Sequence, residues 1–133
     1  MPSAMRPRIS VINDNPQFLD LMSAILDEDA GYEVALFTGE ATTMAELAAS
    51  TPDLIVVDLL LGGASGWEIV ALSRADPRLA GVPIIICSAD VIALRARDTE
   101  LKQIGGVHVL AKPFGIDELT GLVERLIGLP VSG

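Results

Sequence analysis

The chain has one cysteine, Cys87, and so no means of forming an internal disulfide. That suits a reducing compartment, and a cytoplasmic location is the expectation. It also lacks any apolar run of about eighteen residues, the length a membrane-spanning helix needs. The longest apolar stretches, such as Asp53 to Leu61, are strand-sized. Met1 to Ser10 contain no apolar signal core, so secretion is not expected. Basic residues are scarce: nine Lys and Arg stand against eighteen Asp and Glu, for a net charge of −9. Nucleic-acid phosphates are gripped by basic faces, so no direct nucleic-acid partner is expected. The sequence shows no internal repeat and no low-complexity block.

What is present fits one ordinary domain. The 133 residues are half hydrophobic, enough to bury a core and against the composition of disorder. Residues 8–128 are read as the folded unit, with 1–7 and 129–133 as flexible tails. Ile9 to Ile12 reads as a first strand, stopped by Asn13-Asp14-Asn15-Pro16. Phe18, Leu21, Met22, Ile25 and Leu26 then recur at helical spacing. Asn15 is the expected cap, Pro16 lies in the first turn, and Gly31 is the stop. Glu33 to Phe37 is a second strand, and the alanine-rich stretch Glu40 to Ser50 a second helix. Asp53 to Leu59 is a third strand, and its continuous apolar run predicts cover on both faces.

Gly62, Gly63 and Gly66 predict a loop, Trp67 to Ala75 a helix, and Val82 to Cys87 a fourth strand. A helix follows over Val91 to Ile104, ended by Gly105-Gly106. Val107 to Ala111 is a fifth strand, and Asp117 to Ile127 a last amphipathic helix. Strands alternating with helices predict a doubly wound α/β domain around a five-stranded parallel sheet.

In open α/β sheets, ligands bind beyond the carboxyl ends of the strands. The polar residues at those ends are Asn13 and Asp14, then Asp58, then Ser88 with Asp90 nearby, then Lys112. Two carboxylates side by side repel, and a hard cation with oxygen ligands relieves the repulsion. Asp14 and Asp58 are therefore candidate ligands for Mg²⁺, or for Mn²⁺ in its place. Asp58 could attack a phosphoryl group and carry it as an acyl phosphate. Lys112 would neutralise phosphoryl oxygens, and the Ser88 hydroxyl would donate a hydrogen bond.

The segments VINDNP, DLIVVD, GWE, PIIICSA and KPF, beginning at Val11, Asp53, Gly66, Pro83 and Lys112, occur in this order. On them the chain resembles the receiver domain of two-component response regulators, from about Arg8 to Ile127. The resemblance implies a flavodoxin-like sheet in the strand order 2-1-3-4-5, an order the general rule for such folds already associates with receivers. It implies that Asp58 is the phosphoacceptor, that Asp14 is a metal ligand, and that the Leu60 backbone carbonyl completes the metal site. Ser88 and Lys112 take phosphate-sensing roles, and the small Ala89 leaves the site open to donors. The implied donor is a sensor histidine kinase or phosphotransfer protein. The implied output is altered binding of a downstream protein by the surface of the fourth helix, fifth strand and fifth helix. The chain itself would be a monomer or weak homodimer, and an acceptor rather than an enzyme, with self-catalysed phosphorylation and dephosphorylation left open.

Four positions depart from the family pattern. Asn13 stands where a second acidic residue is usual; its oxygen could reach a metal through water, with one negative charge fewer. Val109 stands where a Tyr or Phe is usual, so the aromatic switch is expected to be missing. His108 does not substitute for it, because neighbouring strand residues face opposite sides. Gly62 replaces a common proline, which loosens the loop. Leu60 is apolar where many relatives are polar; with Asp90 it is expected to tune loss of the phosphoryl group.

Other chemistries fit poorly. There is no hydroxyl-rich phosphate loop after the first strand, no Gly-Lys-Ser/Thr motif, and no aspartate two residues after Asp58. A phosphate-independent receiver, acting as a constitutive binding module, is the main rival reading.

Overall fold

The computed structural model describes residues 6–38, 44–58, 60–61, 64–89, 91–96, 98–112 and 114–128. The expected tails, 1–7 and 129–133, lie outside these residues except for residues 6 and 7. Five parallel strands form the sheet: β1 (Arg8–Ile12), β2 (Glu33–Phe37), β3 (Leu54–Asp58), β4 (Ile84–Ser88) and β5 (Val107–Ala111). Their order is β2-β1-β3-β4-β5, as the resemblance implied. The central strands β3 and β4 are buried along almost their whole length, whereas β2 and β5 lie at the edges and are mostly half-buried. The sequence states this difference: IVV and III run unbroken through the centre, while β5 carries His108.

Alternation along the strands divides the core into two layers. Ile9, Val11, Leu54, Val56, Ile85, Cys87 and Leu110 face one side. There they pack on Leu19 and Met22 of α1 (Pro16–Ser23) and on Leu119 and Val123 of α6 (Ile116–Ile127). Ile12, Ile55, Val57, Ile84 and Ile86 face the other side. They meet Leu47 of α2 (Met44–Ala49) and Ile69 and Val70 of α3 (Gly66–Ala75). The helix read between residues 91 and 104 appears as α4 (Val91–Ala96) and α5 (Asp98–Ile104), with Arg97 outside the described residues.

Three local findings differ from the sequence reading. The first helix ends at Asp29, just before the Gly31 stop, but its last stretch, Ala24–Asp29, is a π-helix. Gly31 adopts φ +85°, and the Tyr32 N–H returns 2.8 Å to the Leu26 carbonyl, closing the helix end. The predicted loop after Asp58 holds a short antiparallel pairing of Leu60–Leu61 with Ala64–Ser65. Gly66 opens α3 instead of belonging to the loop.

The chain's outer segments meet at the opposite end of the sheet from the strand carboxyl ends. Arg6 donates to the Gly31 and Tyr32 carbonyls at 2.9 and 2.7 Å. Tyr32, almost wholly buried, donates its hydroxyl 2.8 Å to the Gly128 carbonyl. Across the sheet, Arg74 of α3 donates to the carbonyls of Val82 at 2.8 Å and Gly106 at 3.1 Å, with longer contacts of 3.4 Å to Leu79 and Gly105. One guanidinium thereby ties α3 to the entrances of β4 and β5. Burial lowers its pKa from the usual arginine value.

Candidate phosphoacceptor site

Asp58 is the last residue of β3, and parallel pairing sets it beside Cys87 of β4. Its side chain is 13% exposed, while that of Lys112, just past β5, is 27% exposed. The Lys112 Nζ lies 2.5 Å from Asp58 Oδ2. The lysine is held at its base, since its backbone N–H donates 2.8 Å to the Ser88 carbonyl. Two residues widely separated in sequence are thus brought together at one sheet edge, as the strand-end argument required.

Asn13 also reaches Asp58, through its amide N–H. Its Nδ2 donates 3.0 Å to Asp58 Oδ2, and its Oδ1 accepts from the Asn15 N–H at 2.8 Å. The backbone N–H of Asn15 can only donate, so it fixes the amide orientation and turns the NH₂ toward the carboxylate. The Asn13 oxygen proposed for a metal-bound water is therefore engaged at the start of α1. Asn13 is 5% exposed, and Asp14 beside it is half-buried at the same strand end.

Asn15 caps α1 as expected, accepting from Gln17 N at 2.9 Å and Phe18 N at 3.4 Å. Ser88 is 2% exposed at the end of β4, and Ala89 after it is small and exposed. Val109 on the edge strand is 41% exposed. It shares its face with Ile86, whereas His108 shares the opposite face with Ile85, as strand alternation required. Asp90, Gly62 and the Leu60 side chain lie outside the described residues; the Leu60 backbone begins the short pairing two residues after the acceptor.

Two aromatic residues at the site were not singled out from the sequence. The Lys112 Nζ stands 4.4 Å from the centroid of the Phe18 ring. Phe18 in turn meets Phe114 edge to face, with centroids 6.4 Å apart and planes at 84°. The chain has only three Phe, one Trp and one Tyr. Two of these five flank site residues within four positions, and that was the signal available.

Cys87 is fully buried beneath the site, and burial pushes its thiol up to about 12, opposed in part by Lys112 and helped slightly by Asp58.

The donor set suits a small hard cation. Among the described residues no cluster of three His, Cys, Asp or Glu side chains exists, and Asp14 and Asp58 are the carboxylates at this edge. A sparse oxygen set of that kind is what Mg²⁺ takes while keeping several waters.

The response regulator receiver domain model matches residues 9–124. The chain belongs to the response-regulator receiver family. Over 121 residues it is 31% identical to the DNA-binding dual master transcriptional regulator RpaA of Synechocystis sp., covering 91% of this chain and 49% of RpaA. This receiver thus spans about half the length of that relative. Among solved structures, it resembles the receiver domain of the Pseudomonas aeruginosa sensor histidine kinase PA1611 at 29% identity and TM-score 0.72, covering 92% of this chain and 98% of that one. That structure has a magnesium ion coordinated in its active-site cleft. The chemotaxis regulator CheY4 of Vibrio cholerae shares the fold, with TM-score 0.78 at 23% identity over 91% of this chain and 98% of that one. As in other receivers of two-component systems, the general function is that of a phosphorylation-dependent signalling switch. Among the described residues no helix is long and apolar enough to cross a membrane.

Proposed function

We propose that Asp58 accepts a phosphoryl group from the imidazole of a sensor histidine kinase or phosphotransfer protein in the cytoplasm, and that this changes the affinity of the chain for a downstream protein. One observation carries the reading. An ammonium and an amide N–H converge on a single oxygen of a strand-end carboxylate, the arrangement needed to meet new negative charge there. In the transfer, an Asp58 oxygen attacks phosphorus and the P–N bond to the donor imidazole breaks. Its electron pair goes to nitrogen, and an acyl phosphate forms. Lys112 exchanges the carboxylate for a phosphoryl oxygen, and Ser88 donates its hydroxyl to another. Asp14, Asp58 and the Leu60 carbonyl would hold Mg²⁺ or Mn²⁺. When bound, the ion supplies the positive charge that offsets phosphoryl oxygens during transfer. The chain is the phosphoacceptor, and its own site residues assist the transfer, so a small-molecule donor such as acetyl phosphate can replace the donor protein.

Exposed apolar residues support the output face that the family implies, although Leu21, Leu36 and Leu72 are also exposed elsewhere. Ile92 of α4, Ile104 of α5, Val109 of β5 and Ile116 of α6 are 82, 44, 41 and 57% exposed. Large apolar side chains left on neighbouring elements suit a protein contact. Two observations favour a second reading, a constitutive module indifferent to phosphate: Asn13 already donates to Asp58, and β5 carries Val109 in place of an aromatic ring.

Incubation with acetyl phosphate under titrated MgCl₂ separates the two. Wild type should gain one phosphate by intact mass, and Asp58→Ala none. Asn13→Asp should reach half-maximal labelling at about tenfold less Mg²⁺ or lower, because one added charge is worth roughly one to several kcal/mol. A wild type that takes no phosphate, and whose Trp67 fluorescence ignores beryllofluoride at every Mg²⁺ concentration, would overturn the switch and leave the constitutive module.

A further inference from the structure

We infer that Phe18 is a positioning residue for Lys112, a ring against which the ammonium rests as it passes from Asp58 to the incoming phosphoryl group. The inference rests on the acceptor role proposed for Asp58. Phe18 lies in the first turn of α1, where its N–H is tied to the Asn15 cap, and Asn15 is tied to Asn13. The bonds that aim the Asn13 amide at Asp58 therefore also set the position of Phe18. Phe114, two residues after Lys112, braces the ring edge to face. The Nζ sits 4.4 Å from the ring centroid while it bonds Asp58 Oδ2. A carboxylate or amide in this place would compete for the ammonium. An aromatic face holds a cation through its quadrupole and offers no lone pair, so the ammonium can change oxygen partners without leaving it.

The experiment compares wild type, Phe18→Leu, Phe18→Tyr and Phe18→Trp. It reads the acetyl phosphate labelling rate with saturating MgCl₂, the NMR order parameter of the Lys112 Cε–H bonds, and the urea midpoint. Phe18→Leu keeps an apolar side chain and removes the ring. It should slow labelling about threefold to tenfold and lower the order parameter. Tyr or Trp should restore both. A purely structural role predicts that labelling follows the urea midpoint and that the order parameter does not move. An unchanged order parameter in Phe18→Leu overturns the inference, as does a labelling rate equal to wild type or a loss that neither aromatic variant repairs. If wild type takes no phosphate, the acceptor reading fails by itself, and the order parameters still decide whether the ring holds Lys112. Should Phe18→Leu not fold, the same comparison between wild type, Tyr and Trp variants and Phe114→Leu, which removes only the brace, decides it.

Discussion

Asp58 and Cys87 are register partners on adjacent strands, yet the same sheet edge treats them in opposite ways. The carboxylate reaches partially open space and collects two donors, whereas the thiol points into the core with nothing to solvate its anion. The unfolded thiol ionises near 9 and the folded one near 12. Above pH 9 the unfolded chain therefore binds fewer protons than the native one, and stability falls as pH rises through that window. The contribution is present below pH 9 and drops by at most about 1.4 kcal/mol per pH unit above it. Urea unfolding of wild type and Cys87→Ala between pH 8 and 11 should show the steeper alkaline decline in wild type. A parallel pair of curves would count against it. At this scale the meeting of Asp58 and Lys112 was legible in the sequence, because polar residues at the ends of parallel strands must share one sheet edge. The Asn13 donor geometry was not, since it depends on which way an amide is turned by the Asn15 N–H, and residue identity does not encode that.

Among the elements, the joint between α5 and β5 shows how a turn and a distant helix share one constraint. Gly105 and Gly106 adopt φ +74° and +70°, where side chains with a Cβ are strained. A Cβ on Gly105 would meet open space, but one on Gly106 would come within 2.9 Å of Arg74 Nη2. Gly105→Ala should thus cost about 1 kcal/mol, the left-handed backbone penalty alone. Gly106→Ala should cost more, because the guanidinium must also loosen its hold on the carbonyls. Denaturation of Gly106→Ala in an Arg74→Met background should bring its cost down to that of Gly105→Ala. Equal costs in the wild-type background would refute the coupling. The glycines were read correctly as a helix stop, but Arg74 was invisible in advance: it lies about thirty residues away, and surface arginines on helices are ordinary. The π-helix was hidden for a related reason. Met22, Ile25 and Leu26 of the expected face are buried, Leu21 is 51% exposed with Leu19 buried in its place, and this spacing holds with or without one wider turn. Strand existence was legible because apolar runs bounded by turn residues have few other uses, while the order of the strands came from family resemblance and not from the runs.

Seen whole, the molecule has a chemical end and a structural end. Parallel strands all deliver their carboxyl termini to one edge, so Asn13, Asp58, Ser88 and Lys112 collect there. Their starts collect at the other edge, where Tyr32 bridges to Gly128 and Arg6 grips the turn before β2. Tyr32→Phe deletes a buried hydrogen bond and should cost about 1 kcal/mol, with phosphate labelling unaffected. A loss of labelling in that variant at unchanged stability would show the two ends to be coupled. The bridge has a practical corollary. Residues 6 and 128 both lean on Tyr32, beneath the sheet and away from Asp58. A fluorescent label coupled beside residue 6 or 128 would therefore sit at the sheet end opposite Asp58, leaving the rim of strand carboxyl ends unencumbered.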